Sequence, residues 1–147
     1  MTATIRVATP GDFAGVVRLL EAADLPTAGL RPSLPDFLVA EESGRIVGAV
    51  GLEVYGDYGL LRSAVVDSEQ RNSGLGSDLI ESLLRRAETK GTREIYLLTT
   101  TAERFFPRFG FAAIDRVEVA TPVRASEEFR GACPDTAIVM RRVSSAG

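Results

Sequence analysis

The stretch Leu60–Ser77, LLRSAVVDSEQRNSGLGS, limits what this chain can become more than any other. It opens as an apolar, β-branched run (Leu60, Leu61, Ala64, Val65, Val66) that reads as a buried strand. Asp67 to Gln70 break that run, Arg71-Asn72-Ser73-Gly74-Leu75-Gly76 follows, and behind it Leu79, Ile80, Leu83, Leu84 and Ala87 recur at helical steps. A strand, a glycine-bearing turn and a helix start leave the first backbone N–H groups of the helix unpaired, at the positive end of its dipole. Gly74 and Gly76 have no Cβ to keep a phosphate away from those groups. Arg71 adds a charge able to pair with phosphate in bidentate fashion. The order therefore suits a pyrophosphate, although two glycines in a tight turn alone would also satisfy the pattern.

A Walker loop is excluded because no Gly-Lys-Ser/Thr follows. The dinucleotide fingerprint is excluded as well, since the third glycine and the later acidic residue are missing. The chain has 147 residues and a formal net charge of −3, so nothing in its charge argues for nucleic acid or an anionic membrane as partner. An anionic ligand must then be held locally. No apolar run approaches the ~20 residues of a membrane span, and a cytoplasmic location is the expectation. Histidine is absent and Cys133 is the only cysteine. That removes histidine bases and the usual zinc sites, and Cys133 reads as a packing residue. No metal is expected.

In chain order, Thr4–Ala8 reads as a strand, and Thr9-Pro10-Gly11-Asp12 starts a helix that runs to about Ala23. Residues 24–35 form a loop rich in proline and glycine. Phe37–Glu41 and Arg45–Tyr55 are two strands joined at Ser43-Gly44, with Gly48 and Gly51 hinting at a bulge or a close backbone approach. After the Leu60 strand and a helix from Gly76 to Thr89 come a strand at Glu94–Thr99, a helix over 102–109, a strand to about Asp115, a short helix at 126–130 and a last strand from Thr136 to Arg141. The expectation is a single α/β (α+β) domain over residues 1–147.

Arg71-x-x-Gly74-x-Gly76 between strand and helix resembles the acyl-CoA signature of the GCN5-related N-acetyltransferases, and the order of elements is similar over nearly the whole chain. That resemblance implies a mixed, mostly antiparallel sheet of six or seven strands, splayed between strands 4 and 5 and flanked by about four helices. It implies acetyl-CoA as co-substrate, with Arg71, Asn72, Ser73, Gly74, Leu75, Gly76 and Ser77 on its pyrophosphate. Ala64, Val65 and Val66 would offer backbone partners to the pantetheine arm. Thr99, Phe105, Phe106 and Arg108 would flank the arm and its thiol. Many members carry a tyrosine where this chain has Phe106; a thiolate with a pKa near about 8.5 leaves without it, protonated by water.

The segments FLVAEESGRIVGAVGLEVYGDYGLLRS and YLLTTTAERFF, with Ala125-Ser126 and Cys133-Pro134, are similar to the arsenic-resistance N-acetyltransferases. This implies a small-molecule amine acceptor, a phosphinothricin- or arsinothricin-like amino acid. Glu53 is then the first candidate for the base that deprotonates the amine, although a solvated charge on a strand face explains it equally. A backbone N–H near Val65 would steady the oxygen of the attacked carbonyl. Arg62 and Arg31 are candidates for an acceptor carboxylate, and Glu41, Tyr55 and Thr100 for the rest of the acceptor pocket. Two other functions stay open on these residues: a non-catalytic acyl-CoA-binding module, and acetylation of protein N-termini or lysines. A homodimer is compatible with either.

Overall fold

Alternation along the strands decides the layers. In the computed structural model, which describes residues 3–28, 30, 34–70, 73–126, 128–132 and 136–144, strand β2 (Phe37–Glu42) sends Phe37 and Val39 to one face of the sheet and Leu38 and Ala40 to the other. Helix α1 (Phe13–Ala22) covers the first face with Val16, Leu19 and Leu20. Helix α2 (Leu75–Thr89) covers the second with Leu79, Ile80, Leu83, Leu84 and Ala87. Period-2 strands thus meet 3.6-period helices on both sides, and each side chain is fixed by its place in the pattern.

Strands β1 (Thr4–Val7), β3 (Arg45–Tyr55), β4 (Tyr58–Val66), β5 (Glu94–Thr99), β6 (Ala112–Ile114) and β7 (Ile138–Val143) complete a seven-stranded sheet of order β1-β2-β3-β4-β5-β7-β6. Every neighbouring pair is antiparallel except β4 and β5, which run parallel. A third apolar cluster of Leu60, Tyr96, Val119, Val123 and Val139 lies beneath helix α3 (Thr121–Arg124). The mixed sheet and its parallel step at strands 4 and 5 agree with the expected fold class.

Local chemistry sets the ends of these elements. Asp12 accepts from the Thr9 amide at 2.8 Å and its hydroxyl at 3.1 Å, so the helix entry predicted at Thr9-Pro10 forms, as a 3-10 turn leading into α1. The bulge anticipated near Gly48 and Gly51 is present, with a register shift between Ala49 and Gly51. A Cβ on Gly51 would sit 2.0 Å from the Phe37 ring, which is why that position has none.

Two expected helices differ from what forms. Residues 102–109 make a turn followed by a 3-10 segment at Phe106–Phe109, because an α-helix from Ala102 would place Pro107, with no N–H, in its interior. The short helix expected at 126–130 is a π-helical turn at Glu128–Ala132, preceded by α3, whose Pro122 marks a helix start. Among the described residues no helix is long and apolar enough to cross a membrane.

Candidate active site

Strands β4 and β5 pair only at Tyr58 with Glu94, Gly59 with Ile95 and Leu60 with Tyr96. Beyond Leu60 they part. The parting begins beside a bulge, where Ala49 faces Val65 but Gly51 faces Arg62, so Val50 stands against two residues, Ser63 and Ala64. Ser63 takes a positive φ of 60°, a strained choice for a residue with a Cβ. The extra residue bends β4 away from β5 and leaves its last residues without a strand neighbour on that side.

A cavity of about 350 Å³ fills the gap, with Pro26, Arg62, Val65, Thr101, Phe106 and Glu128 among its walls. A smaller one of about 170 Å³ lies against the start of α2, bounded by Gly76, Leu79 and Phe105. Ala64, Val65 and Val66 border both. One stretch of strand backbone therefore joins the helix start to the buried charges at Arg62.

At the helix start, Gly74 has a φ of 86°, and a Cβ added there would meet nothing within 4 Å. Ser73 Oγ accepts from the Leu75 amide at 3.3 Å, and Leu75 is buried against the α2 side of the sheet. The amides of Gly76 and Ser77 have no acceptor among the described residues, as the first turn of a helix requires. A pyrophosphate fits here: open space over Gly74, bare amides behind it, and the positive end of a fifteen-residue helix. Arg71 and Asn72 lie outside the described residues, as do Arg31 and Cys133.

The remaining candidates separate by position. Thr99 lines the larger cavity and its Oγ1 accepts from the Ala102 amide at 2.9 Å, so it caps the following turn as well. Phe105 borders the smaller cavity and Phe106 the larger, their rings in edge contact at 5.4 Å. Arg108 borders neither; its guanidinium sits over the Phe105 ring at 4.8 Å, in a groove along the middle of α2. Thr100 is exposed and off the wall, which its neighbours Thr99 and Thr101 form instead. Glu41 is removed from the site altogether: it lies two strands from β4 and pairs with Arg6 at 3.1 Å.

Glu53, Tyr55 and Arg62 come together, in roles the sequence did not predict. Glu53 is buried, so it is no solvated surface charge, and it does not border the cavity. One carboxylate oxygen accepts from the Tyr55 hydroxyl and the other from Arg62 at 2.7 Å. A carboxylate so engaged is a counter-ion and not a free base. Burial, then the Glu53 carboxylate, push the Tyr55 phenol well above its usual range, so it stays a neutral donor. Arg62 also donates to Ser63 Oγ at 2.9 Å, to the Pro26 carbonyl at 2.9 Å and to the Ala28 carbonyl. With its guanidinium fully buried and spent on these partners, Arg62 builds the cavity wall and does not wait for an acceptor carboxylate.

Sequence reasoning missed Glu128. It is buried, borders the larger cavity and lies 3.7 Å from Arg62 Nε. Its segment reads as a short helix at 126–130, and nothing in that pattern sets Glu128 apart.

A description of the acetyltransferase (GNAT) domain matches residues 34–113, more than half of the chain. The chain belongs to the GNAT acetyltransferase family. It is 31% identical over 138 residues to an amino-acid acetyltransferase of Mycobacterium tuberculosis, covering 79% of this chain and 76% of that protein. An amino-acid acetyltransferase of Pseudomonas putida is 28% identical over 127 residues, but this chain spans only 29% of its length. In fold the chain is similar to Rv2747 of M. tuberculosis, solved in complex with CoA and NLQ, with a TM-score of 0.81, 23% identity and 96% and 99% of the two chains covered. N-acetylglutamate synthase of Neisseria gonorrhoeae, solved with coenzyme A and L-arginine, gives 0.82 at 20% identity, over 98% of this chain and 34% of that one. This GNAT protein is an acetyl-CoA-dependent N-acetyltransferase, similar in sequence to amino-acid acetyltransferases.

Proposed function

We propose that this protein acetylates the primary amine of a small amino acid, and that the acceptor meets the thioester in the cavity between β4 and β5. The observation that carries this reading is the continuity of the site. Bare amides at Gly76 and Ser77, the shared backbone of Ala64–Val66 and the buried end at Arg62 and Glu128 lie along one path. Phosphinothricin- and arsinothricin-like amino acids are the finer reading, which the sequence resemblance to arsenic-resistance enzymes supports.

In this assignment the chain's own residues do limited work. Residues 71–77 bind phosphate, the edge of β4 at Ala64–Val66 pairs with the carrier's amides, and an N–H near Val65 receives charge developing on the carbonyl oxygen. Phe105 and Phe106 wall the space for the sulfur. Nitrogen gains a bond to the carbonyl carbon as the carbon–sulfur bond breaks. The acceptor nitrogen, an ammonium before reaction, loses two protons in all, one to the thiolate through water and one to solvent. Phe106 has no proton to give.

Thiol release from acetyl-CoA, measured across a panel of free amino acids that includes phosphinothricin, tests the reading. Turnover of at least one α-amino acid is expected, and no turnover on any primary amine overturns it. In the same assay Gly74→Glu, which puts bulk and negative charge over the bare amides, should lower CoA affinity more than about 100-fold with the fold retained.

A further inference from the structure

Among the described residues three that are not glycine take a positive φ: Asp24, Ser43 and Ser63. Asp24 and Ser43 stand in exposed turns, where a left-handed residue helps to reverse the chain. Ser63 stands inside β4 and is only 8% exposed. No reversal follows it, and a glycine at this bulge would take the same φ without crowding its own backbone. The chain keeps a hydroxyl where the backbone alone calls for none. Strain held on the wall of a binding cavity points to the side chain that sits there.

The surroundings of that hydroxyl limit what it can do. Ser63 Oγ accepts from Arg62 Nε at 2.9 Å, and the Arg62 side chain is fully buried. Accepting uses one lone pair, so the O–H bond points away from Arg62. A hydroxyl that accepts from a buried cation becomes a stronger donor itself. Ser63 also borders the larger cavity, in chain order between Arg62 and the Ala64–Val66 edge. It therefore adjoins the backbone assigned above to the carrier and to the thioester oxygen. An acceptor carboxylate fits this hydroxyl less well: Glu128 Oε2 lies 3.7 Å from the same Arg62 nitrogen, so two carboxylates would meet there.

We propose that Ser63 is a catalytic residue, its hydroxyl donating to the thioester carbonyl oxygen beside the N–H near Val65. As nitrogen attacks, negative charge gathers on that oxygen, and a fixed donor polarised by Arg62 steadies it without moving. Arg62 is a positioning residue in this scheme, acting on the reaction through the Ser63 hydroxyl. The bulge supplies the geometry, because it turns residue 63 out of the regular alternation of β4. The inference rests on the placement of the thioester in this cavity and adds to it a second donor.

Acetyl-CoA labelled with carbon-13 at the thioester carbonyl, bound to the native protein and to two variants, tests the donor by isotope-edited infrared spectroscopy. Ser63→Gly relieves the backbone and Ser63→Ala keeps its cost, so the two share the loss of the hydroxyl alone. In both, the labelled carbonyl band should lie at higher frequency than in the native protein. CoA affinity should change less than about twofold, and kcat on the acceptor found by thiol release should fall at least about 10-fold with acceptor KM nearly unchanged. A band that stays in place in either variant overturns the proposal. A raised acceptor KM with kcat intact overturns it as well, by assigning the hydroxyl to the acceptor. The infrared reading needs no acceptor: a shifted band in a protein that acetylates no amine keeps the donor and sinks the acetylation reading, and turnover with an unmoved band does the reverse.

Discussion

Two arginines in this GNAT protein each sit between two carboxylates, and they differ in almost everything that follows. Arg6 binds Asp12 through both terminal nitrogens, at 2.7 and 3.0 Å, and Glu41 through Nε at 3.1 Å, with a third of its side chain exposed. Arg62 has no exposed side chain and reaches Glu53, Glu128, Ser63 and two loop carbonyls. The first cluster ties β1 and β2 to the helix entry at the edge of the sheet. The second stands where the sheet opens. Identical charge patterns thus act as a solvent-screened clamp in one place and as the wall of a binding site in the other; burial makes the difference.

Removing the arginine from each cluster should expose that difference most clearly. Arg62→Met leaves two buried carboxylates facing one another, and urea unfolding should show a loss of about 3–5 kcal/mol. A loss below about 1 kcal/mol would mean that the cluster is wetter than its burial implies. Restoring neutrality with Glu53→Gln and Glu128→Gln in the same chain should recover most of that stability.

The edge cluster should speak through acid instead. Arg6 chiefly, with the Thr9 hydrogen bonds, holds the Asp12 carboxyl at about 2, below the usual 3.8. The native state therefore takes up the proton less readily than the unfolded chain. Its contribution, about 2 kcal/mol, is fully present above the unfolded value and is lost as pH falls from about 4 through about 2. Urea midpoints at pH 5, 3 and 2 should trace it, and Arg6→Ala should flatten the trace. At neutral pH the same substitution should cost about 1–2 kcal/mol, up to the whole of that contribution, since the guanidinium is only partly in water. The least effect belongs to Lys90→Ala at the Asp36 pair, where side chains are 47% and 31% exposed. There the change should stay within about 0.5 kcal/mol, and a larger one would undo the ranking by exposure.

How legible these features were depended on the range of the interaction. The strand, turn and helix from Leu60 to Thr89 follow from periodicity and two glycines, and Thr99 as a cap follows from its neighbours. The Glu53–Arg62 pair was within reach as well. A two-residue turn at Gly56-Asp57 sets Glu53 opposite Leu60, which makes Arg62 a diagonal neighbour on the same face. A strand read as opening at Leu60, where it begins at Tyr58, hides that register. Glu128 had no such signal, because its partner lies 66 positions earlier and only the folded sheet brings the two together. Glu41 misled for the opposite reason: an acidic residue late in a strand looks the same whether the next strand lies beside the opening or two places away.

The brevity of the β4–β5 join has its own effect. Among the described residues only three pairs of the β4–β5 ladder stitch β1–β4 to β5–β7–β6. A carrier that fills the wedge and bonds to the bare edge of β4 would splice the halves together, serving as mortar as well as reagent. Melting temperature should then climb with the concentration of CoA alone. In a cell, the abundance of this protein would follow the supply of its own co-substrate.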